Sequence, residues 1–402
     1  MPQLTTELIH HPYVPPEGFE APQPGVFKAS TVFFPTVAAM RSREWKDKTA
    51  YTYGLHGTPT TYALEERLCT LEGGGQCLLV PSGLAAVALV ALSLLKPGDE
   101  VLMPDNVYGP NKTLAEGELK GWGITHQYYD PMNSADLESR LSERTRLVWV
   151  EAAGSVTLEF PDLAELVRIC KRKGVCVALD NTWGAGLAFK PFDLLPDTEP
   201  GLGADISVHA LTKYPSGGGD VLMGSVITRD AGLHLRLKLT HMRLGLGIGA
   251  NDAEAVLRGL PSIALRYAAH DATARALAQW CQTQTAFFAQ VLHPALPGSP
   301  GHGHWKSLCK NDVGGAAGLF SVLIDAGHGQ SQVDAFCDAL RLFRLGYSWG
   351  GPVSLVVPYE LAFIRSGWPS HLAKGTLVRF SAGLEAMEDL QADIAQALQF
   401  LR

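Results

Sequence analysis

The chain has few cysteines and no long run of positive charge. Its seven cysteines are scattered through 402 residues without a Cys-x-x-Cys pair, a pattern typical of reduced thiols in a cytosol-like compartment. The net charge is −7, so nucleic acid and anionic membrane surfaces are not expected as partners. The longest nearly continuous apolar stretch, 84–95, is too short to span a bilayer. Because the N-terminus lacks a positive start followed by an apolar core, we expect no secretory signal and a cytoplasmic protein.

Hydrophobic residues make up 46% of the chain, enough for two or three packed domains. Residues 1–57 contain many prolines and few helical periods, which predicts an extended N-terminal arm. In 58–250, short apolar strands alternate with helices, which predicts an α/β domain with a mostly parallel central sheet and helices on both faces. A long helix over 253–288, broken near Pro261, is expected to open a smaller C-terminal α/β domain over 251–402.

Lys213 follows a strand-like run, 205–209, and precedes a turn-forming stretch of small residues. An amine held there, partly out of water, has a lowered pKa and becomes a nucleophile toward aldehydes. A solvated loop lysine is the alternative, since lysines are mostly exposed.

Asp180 ends the apolar run 175–179, which is typical of a strand buried in a parallel sheet. Ligands bind at the carboxyl ends of such strands. Pyridoxal phosphate needs a lysine for its Schiff base and an acid for its ring nitrogen. Asp180 and Lys213 could supply these two groups. Taken alone, Asp180 could equally be a helix cap or turn former.

A strand, a tight turn and a helix start meet at Ser82 and Gly83. Backbone N–H groups at such a helix start form a cradle for a dianion, and Ser82 could cap the helix or bond a phosphate oxygen. An ordinary strand–helix turn is the alternative. Near the C-terminus, Arg379 lies in an alternating strand, 376–381, on the face opposite Val378 and Phe380. Its guanidinium suits a carboxylate, either of a substrate or of an acidic side chain.

Together these elements resemble the trans-sulfuration family of PLP-dependent enzymes, which act on cysteine and methionine and have fold type I. The likeness runs from 26–35 to 379–385 and includes 51–59, 105–108 and 292–298. Within the family, the Tyr-Ser-Trp-Gly-Gly segment at 347–351 resembles that of the β-lyases, whereas γ-acting members tend to carry Ser-Leu-Gly there.

The resemblance implies pyridoxal 5'-phosphate as cofactor, a sulfur amino acid as substrate, and a homotetramer with shared active sites. Lys213 and Tyr108 are expected to be catalytic, with Tyr108 stacked on the cofactor ring. Tyr53 would reach the phosphate of the neighbouring subunit's cofactor. The cofactor-binding positions are expected to be Tyr53, Ser82, Gly83, Leu84, Tyr108, Asp180, Thr212 and Lys213. Ser348, Trp349 and Arg379 are expected to bind substrate.

The chain departs from the family pattern at two positions. Many members carry an arginine two residues after the phosphate-binding tyrosine, where this chain has Leu55, followed by His56. Ala210 replaces a serine that often precedes the Thr-Lys pair. Both changes predict weaker retention of the cofactor.

The expected reaction is β-elimination of L-cystathionine to homocysteine, pyruvate and ammonia. The alternatives are a γ-lyase, an O-acylhomoserine-dependent γ-synthase or sulfhydrylase of the same family, or a non-catalytic PLP-binding regulator. Against a regulator that binds DNA, the sequence has no appended basic segment. No metal site is expected, because the histidines at 293, 302 and 304 lie in a Pro/Gly-rich loop without a carboxylate or thiol cluster.

Overall fold

A computed structural model describes residues 3–11, 17–42, 48, 50–309 and 312–402. The larger of its two sheets has seven strands in the order β1-β7-β6-β5-β4-β2-β3. They span β1 Gln76–Val80, β2 Glu100–Pro104, β3 Thr125–Tyr129, β4 Thr145–Glu151, β5 Cys176–Asp180, β6 Ile206–Ala210 and β7 Gly224–Thr228. The pairs from β3 through β6 are parallel, as the sequence predicts, whereas β7 runs antiparallel to both β6 and β1.

Helices cover both faces of this sheet. Leu147 and Trp149 pack into one apolar cluster, whereas Val148 and Val150 pack into another, because alternate residues of a strand point to opposite faces. Both faces are therefore buried, which explains why these strands are continuous apolar runs. The helices of this region are α3 Pro59–Glu72, α4 Gly83–Leu94, α5 Gly109–Leu114 (continued by a π-turn, Ala115–Leu119), α6 Ser134–Arg140, α7 Leu163–Lys173 and α8 Ala231–Leu244.

The prediction of one long helix over 253–288 is wrong at its C-terminal end. Helix α9, Ala250–Gly259, is followed by a 3-10 turn, Leu260–Ser262, and by α10, Ile263–Gln282. The break thus falls at Pro261, as expected, because proline lacks the N–H of a helical hydrogen bond. Phe288, however, begins a strand, and its side chain is buried beside Phe336 of the second sheet's cluster. Tertiary packing outweighs local helical pattern there.

The second sheet has five strands in the order β10-β11-β12-β9-β8. Val378 and Phe380 of its middle strand enter an apolar cluster, so the opposite face carries Arg379. The strands are β8 Phe288–Leu292, β9 Leu319–Asp325, β10 Arg344–Leu345, β11 Leu355–Tyr359 and β12 Gly375–Ser381. The helices are α11 His302–Leu308, α12 Gln330–Asp338, α13 Leu361–Ile364 and α14 Met387–Ala397, the last followed by a 3-10 turn, Leu398–Leu401. Within the described ranges, no helix combines the length and apolarity that crossing a membrane requires.

The predicted N-terminal arm has little regular secondary structure in its described part but is not free of helix. It contains α1 Leu4–Ile9, α2 Val37–Arg41 and a 3-10 turn, Gly54–His56. Leu8 is fully buried in the cluster that covers one face of the large sheet. Residues 1–2, 12–16, 43–47 and 49 of the arm lie outside the described residues. The domain boundaries near 57 and 250 remain predictions.

A buried ionic network links the C-terminal region to the large sheet. Arg365 donates to Asp105 and to Glu159, with N–O distances of 2.9 Å in each case. His371 contacts the other oxygen of Glu159. Burial works to raise the pKa of Glu159, but the hydrogen bond from His371 and the charge of Arg365 outweigh it and lower that pKa to about 2.

We expect Arg365→Met to destabilise the protein by about 3–5 kcal/mol, because it leaves the buried Glu159 carboxylate without its guanidinium partner. It also removes one of the two cations that contact Asp105, which keeps Lys112. Arg168→Met is the matched control, since the Arg168 pairs with Glu165 and Glu199 are partly exposed and contribute about 1 kcal/mol or less. Chemical denaturation of the purified protein measures both changes. Equal losses of stability in the two variants would contradict this assignment.

Candidate active site

The carboxyl ends of β4, β5 and β6 open into a cavity of about 970 Å³. Its opposite wall comes from the second sheet and from the loop that precedes β11. Ligand sites of open α/β sheets lie at such strand ends. The predicted site residues on its lining are Ser82, Gly83, Leu84, Tyr108, Asp180, Thr212, Lys213, Ser348, Trp349 and Arg379.

Lys213 points into this cavity and is not a solvated loop lysine. Its Nζ donates to Ser348 Oγ at 2.7 Å and lies 5.3 Å from the centroid of the Trp349 ring. Burial, together with the nearby charge of Arg379, lowers the pKa of Lys213 to about 8, although Asp180 opposes the shift. Near neutral pH, an amine with this pKa is deprotonated in part of the molecules. Only the deprotonated form can act as a nucleophile or base.

Asp180 is the last residue of β5, and its carboxyl lines the cavity. Its Oδ1 accepts a hydrogen bond from the Thr182 N–H at 3.0 Å, so the turn contact of the alternative interpretation is also present. Burial raises the pKa of Asp180. A cation in the cavity would stabilise the ionised form of this buried carboxyl, and a protonated pyridine nitrogen is such a cation.

Helix α4 begins at Gly83, at the edge of the same cavity. Ser82 caps it, with Oγ accepting from the Ala85 N–H at 3.0 Å. A Cβ at position 83 would lie 2.7 Å from Ala210 Cβ, so only glycine fits there. The free N–H groups of the first helical turn and the helix dipole suit a phosphate. Thr212 Oγ1 lies 3.4 Å from the backbone of Met223 and lines this part of the cavity.

Tyr108 lines the cavity and remains 39% exposed in the isolated chain. Its backbone N–H donates to Glu151 Oε2 at 2.8 Å. Burial, with Asp180 and Glu151 nearby, raises the pKa of the Tyr108 phenol. The hydroxyl therefore keeps its proton and can donate it.

Arg379 presents an incompletely bonded guanidinium to the cavity. Its Nη2 donates to Ser348 O at 3.2 Å, and the group lies 5.4 Å from the Tyr359 ring centroid. Among the residues that the structure describes, the buried Nε has no hydrogen-bond partner and no carboxylate forms an ion pair with Arg379. The alternative of a structural salt bridge is thus not seen there. A buried donor without a partner is costly, so a carboxylate ligand fits this position.

Ser348 adopts a positive φ of 101°, a conformation that non-glycine residues adopt at a cost. This backbone places its Oγ on Lys213 and its carbonyl on Arg379. Trp349 packs against the buried Tyr214, with ring centroids 5.5 Å apart. The three predicted substrate-binding residues therefore lie together with the lysine.

Tyr53 is the one predicted site residue that is not on the cavity lining of its own chain. It is 44% exposed, which leaves the expected contact with a neighbouring subunit as a prediction. Leu55 lies against Gly247, and His56 Nδ1 is 2.8 Å from Thr52 Oγ1. The aliphatic side chain of Leu55 carries no charge that could replace the missing arginine.

Sequence reasoning missed Glu151, although it ends β4 just as Asp180 ends β5. The rule that identified Asp180 could have found it. The residues present fit pyridoxal phosphate, because a lysine with a lowered pKa, a buried acid, a helix start and an unsatisfied arginine face one cavity.

Comparison with known proteins agrees with this geometry. A family model described as Cys/Met metabolism PLP-dependent enzyme matches residues 5–399. A cystathionine β-lyase from Bordetella avium is 37% identical, with 98% of this chain and 96% of that protein covered. An L-alanine/L-glutamate racemase from Wolbachia pipientis is 33% identical, with 93% and 92% covered.

The fold comparison gives the same family. The crystal structure of cystathionine γ-synthase from Xanthomonas oryzae, in complex with aminoacrylate and cysteine, matches with a TM-score of 0.87 and 28% identity, covering 100% of this chain and 99% of that one. The predicted fold class, cofactor and enzyme type are thereby confirmed. The chain belongs to the family of Cys/Met metabolism PLP-dependent enzymes.

Proposed function

We propose that this enzyme catalyses β-elimination of L-cystathionine, giving homocysteine, pyruvate and ammonia. The observation that carries the proposal is the contact between Lys213 Nζ and Ser348 Oγ, beside Trp349 and the incompletely bonded Arg379. One cavity thus contains a base, Lys213, a cation suited to a carboxylate, Arg379, and an aromatic side chain, Trp349. Relatives that are 33–37% identical and named cystathionine β-lyase support the same reaction.

The cofactor would be held by Lys213 through its aldehyde, by Asp180 at its ring nitrogen, and by the start of α4 at its phosphate. When bound, pyridoxal phosphate supplies an electron sink for the negative charge that develops at the substrate's Cα. Tyr108 would lie against the ring. Thr212 and the N–H groups of Gly83 and Leu84 would donate to the phosphate.

The side chains of this protein then direct the chemistry. Arg379 binds the substrate carboxylate and fixes the direction of the Cα–H bond, which lowers the barrier by orientation. The Lys213 amine, in its uncharged form, would remove the proton from the substrate's Cα. As the Cβ–S bond breaks, Lys213 or Tyr108 donates a proton to the leaving thiolate. Water then converts the released enamine to pyruvate and ammonia.

The active site would be shared between subunits. Tyr53 is exposed on its own chain and would complete the phosphate site of a neighbour. A cytoplasmic homotetramer with four such sites is part of this proposal.

The products of L-cystathionine turnover test the reaction directly. We expect pyruvate and homocysteine from the PLP-loaded enzyme. Formation of 2-oxobutyrate and cysteine would instead identify γ-elimination, and activity that requires an O-acylhomoserine would identify a γ-synthase, the activity named for the Xanthomonas relative. Absence of turnover with all of these substrates would overturn the proposal.

Position 55 offers a test of the phosphate site. We expect Leu55→Arg to lower the dissociation constant of PLP about tenfold, because a charge-assisted hydrogen bond to phosphate contributes about 1.5–3 kcal/mol. Titration of the apoenzyme with PLP measures the change. Leu55→Met, which keeps a similar volume without charge, is the control. Equal affinities in the arginine and methionine variants would show that position 55 does not face a phosphate.

A further inference from the structure

A second carboxyl group lies beside Asp180 at the floor of the cavity. Glu151 is the last residue of β4, and in the parallel register of β4 and β5 it is paired with Asp180. Both residues line the cavity, and Glu151 is 8% exposed. Asp180 would hold the ring nitrogen of the cofactor, whereas no step of the proposed reaction involves Glu151.

Among the described residues, the Glu151 carboxyl group makes one hydrogen bond. Its Oε2 accepts the backbone N–H of Tyr108 at 2.8 Å. Lys112 is the nearby cation, but its ammonium donates to the carbonyl and the carboxylate of Asp105 and to the carbonyl of Ile364. Across the described part of the chain, no cation lies within ion-pair distance of Glu151.

Two adjacent buried carboxyls do not both ionise readily, because each charge disfavours the other. The groups that face Glu151 are Asp180, Tyr108 and the more distant Lys112, and burial together with Asp180 raises the pKa of Glu151 well above its usual value. Asp180 accepts a hydrogen bond from the Thr182 N–H. The nearby His209 and Lys213 also favour its ionised form. The contacts therefore favour the negative charge on Asp180 and the proton on Glu151.

We propose that Glu151 is a positioning residue that stays protonated, holding the backbone of Tyr108 at the cavity wall while the negative charge of the carboxyl pair resides on Asp180. This role rests on the proposed placement of the cofactor between Lys213 and Asp180. It differs from the role of Asp180, because it requires an uncharged hydrogen-bond acceptor and no negative charge.

Glutamine reproduces a protonated glutamate in shape, charge and acceptor capacity. Glu151→Gln therefore distinguishes a protonated Glu151 from an ionised one. We measure the dissociation constant of PLP and the pH midpoint of the visible absorbance of the bound cofactor in the wild type, Glu151→Gln and Glu151→Ala. We expect Glu151→Ala to weaken PLP binding about tenfold, through loss of the Tyr108 contact. Glu151→Gln is expected to restore the affinity and to keep the wild-type midpoint.

A midpoint that falls by about one pH unit in Glu151→Gln would overturn the proposal, because loss of a real negative charge destabilises the cationic form of the lysine-bound cofactor. Affinity as poor in Glu151→Gln as in Glu151→Ala would also overturn it. If Glu151→Ala does not fold, the midpoint of Glu151→Gln still decides. A wild-type protein without a visible band would instead refute the Lys213 attachment, and the product assay tests the reaction separately.

Discussion

The rate of L-cystathionine turnover is expected to fall by about a thousandfold or more in Lys213→Ala. The visible absorbance of bound PLP is expected to disappear in the same variant. Removal of a positioned base alone costs about 10²–10⁴-fold in rate, and this variant would also lack the proposed covalent attachment. The amine is suited to both tasks because burial and Arg379 lower its pKa to about 8. Steady-state rates and absorbance spectra of the variant and the wild type measure the two losses.

Lys213→Arg is the matched variant, since it keeps the positive charge and most of the side-chain length. A guanidinium stays protonated in proteins and cannot act as a base. We therefore expect Lys213→Arg to be as inactive as Lys213→Ala. Lys171→Ala, at an exposed lysine paired with Asp205, is expected to behave as the wild type. Wild-type turnover in Lys213→Ala would remove the basis of the mechanism.

Arg379→Leu is expected to lower kcat/KM for L-cystathionine by about a hundredfold or more. Loss of one partner of a buried charge pair costs about 2–5 kcal/mol, and tenfold in affinity corresponds to about 1.4 kcal/mol. Arg379 has the geometry of such a partner, because its buried Nε has no acceptor within the part of the chain that the structure describes. Steady-state kinetics with L-cystathionine measure the loss.

The loss in Arg379→Leu should be specific to the substrate carboxylate. We expect PLP affinity to remain close to that of the wild type, since Arg379 is assigned to substrate and not to cofactor. Arg379→Lys keeps the charge without the planar fork and is expected to be intermediate. An unchanged kcat/KM in Arg379→Leu, or a loss of PLP affinity equal to the loss of kcat/KM, would refute the assignment.

The parallel sheet and much of its ligand edge could be predicted from local patterns. Asp180 and Lys213 follow strands whose apolar runs are visible in the sequence, and the ends of parallel strands meet at one edge. The same pattern did not reveal that β7 runs antiparallel, because strand direction depends on partners that are distant in the chain. The helix predicted over 253–288 wrongly includes Phe288 for a related reason, because Phe288 packs against Phe336, which lies in a distant helix.

The contacts that tune the site could not be predicted from local patterns. Ser348 reaches Lys213 across 135 positions of sequence, and its positive φ follows from its surroundings and not from its own preference. The lowered pKa of Lys213 depends on burial and on Arg379, which comes from the other sheet. The resemblance to a family predicts that Ser348 and Arg379 belong to the site. Their contacts become apparent only in the folded structure.

Borohydride reduction of the PLP-loaded enzyme, followed by mass spectrometry of its peptides, tests the assignment of Lys213 most directly. We expect the reduced pyridoxyl group on the peptide that contains Lys213, at a stoichiometry near one for each chain. A modified lysine elsewhere, such as Lys112 in the same cavity, or no modified peptide at all, would contradict the account.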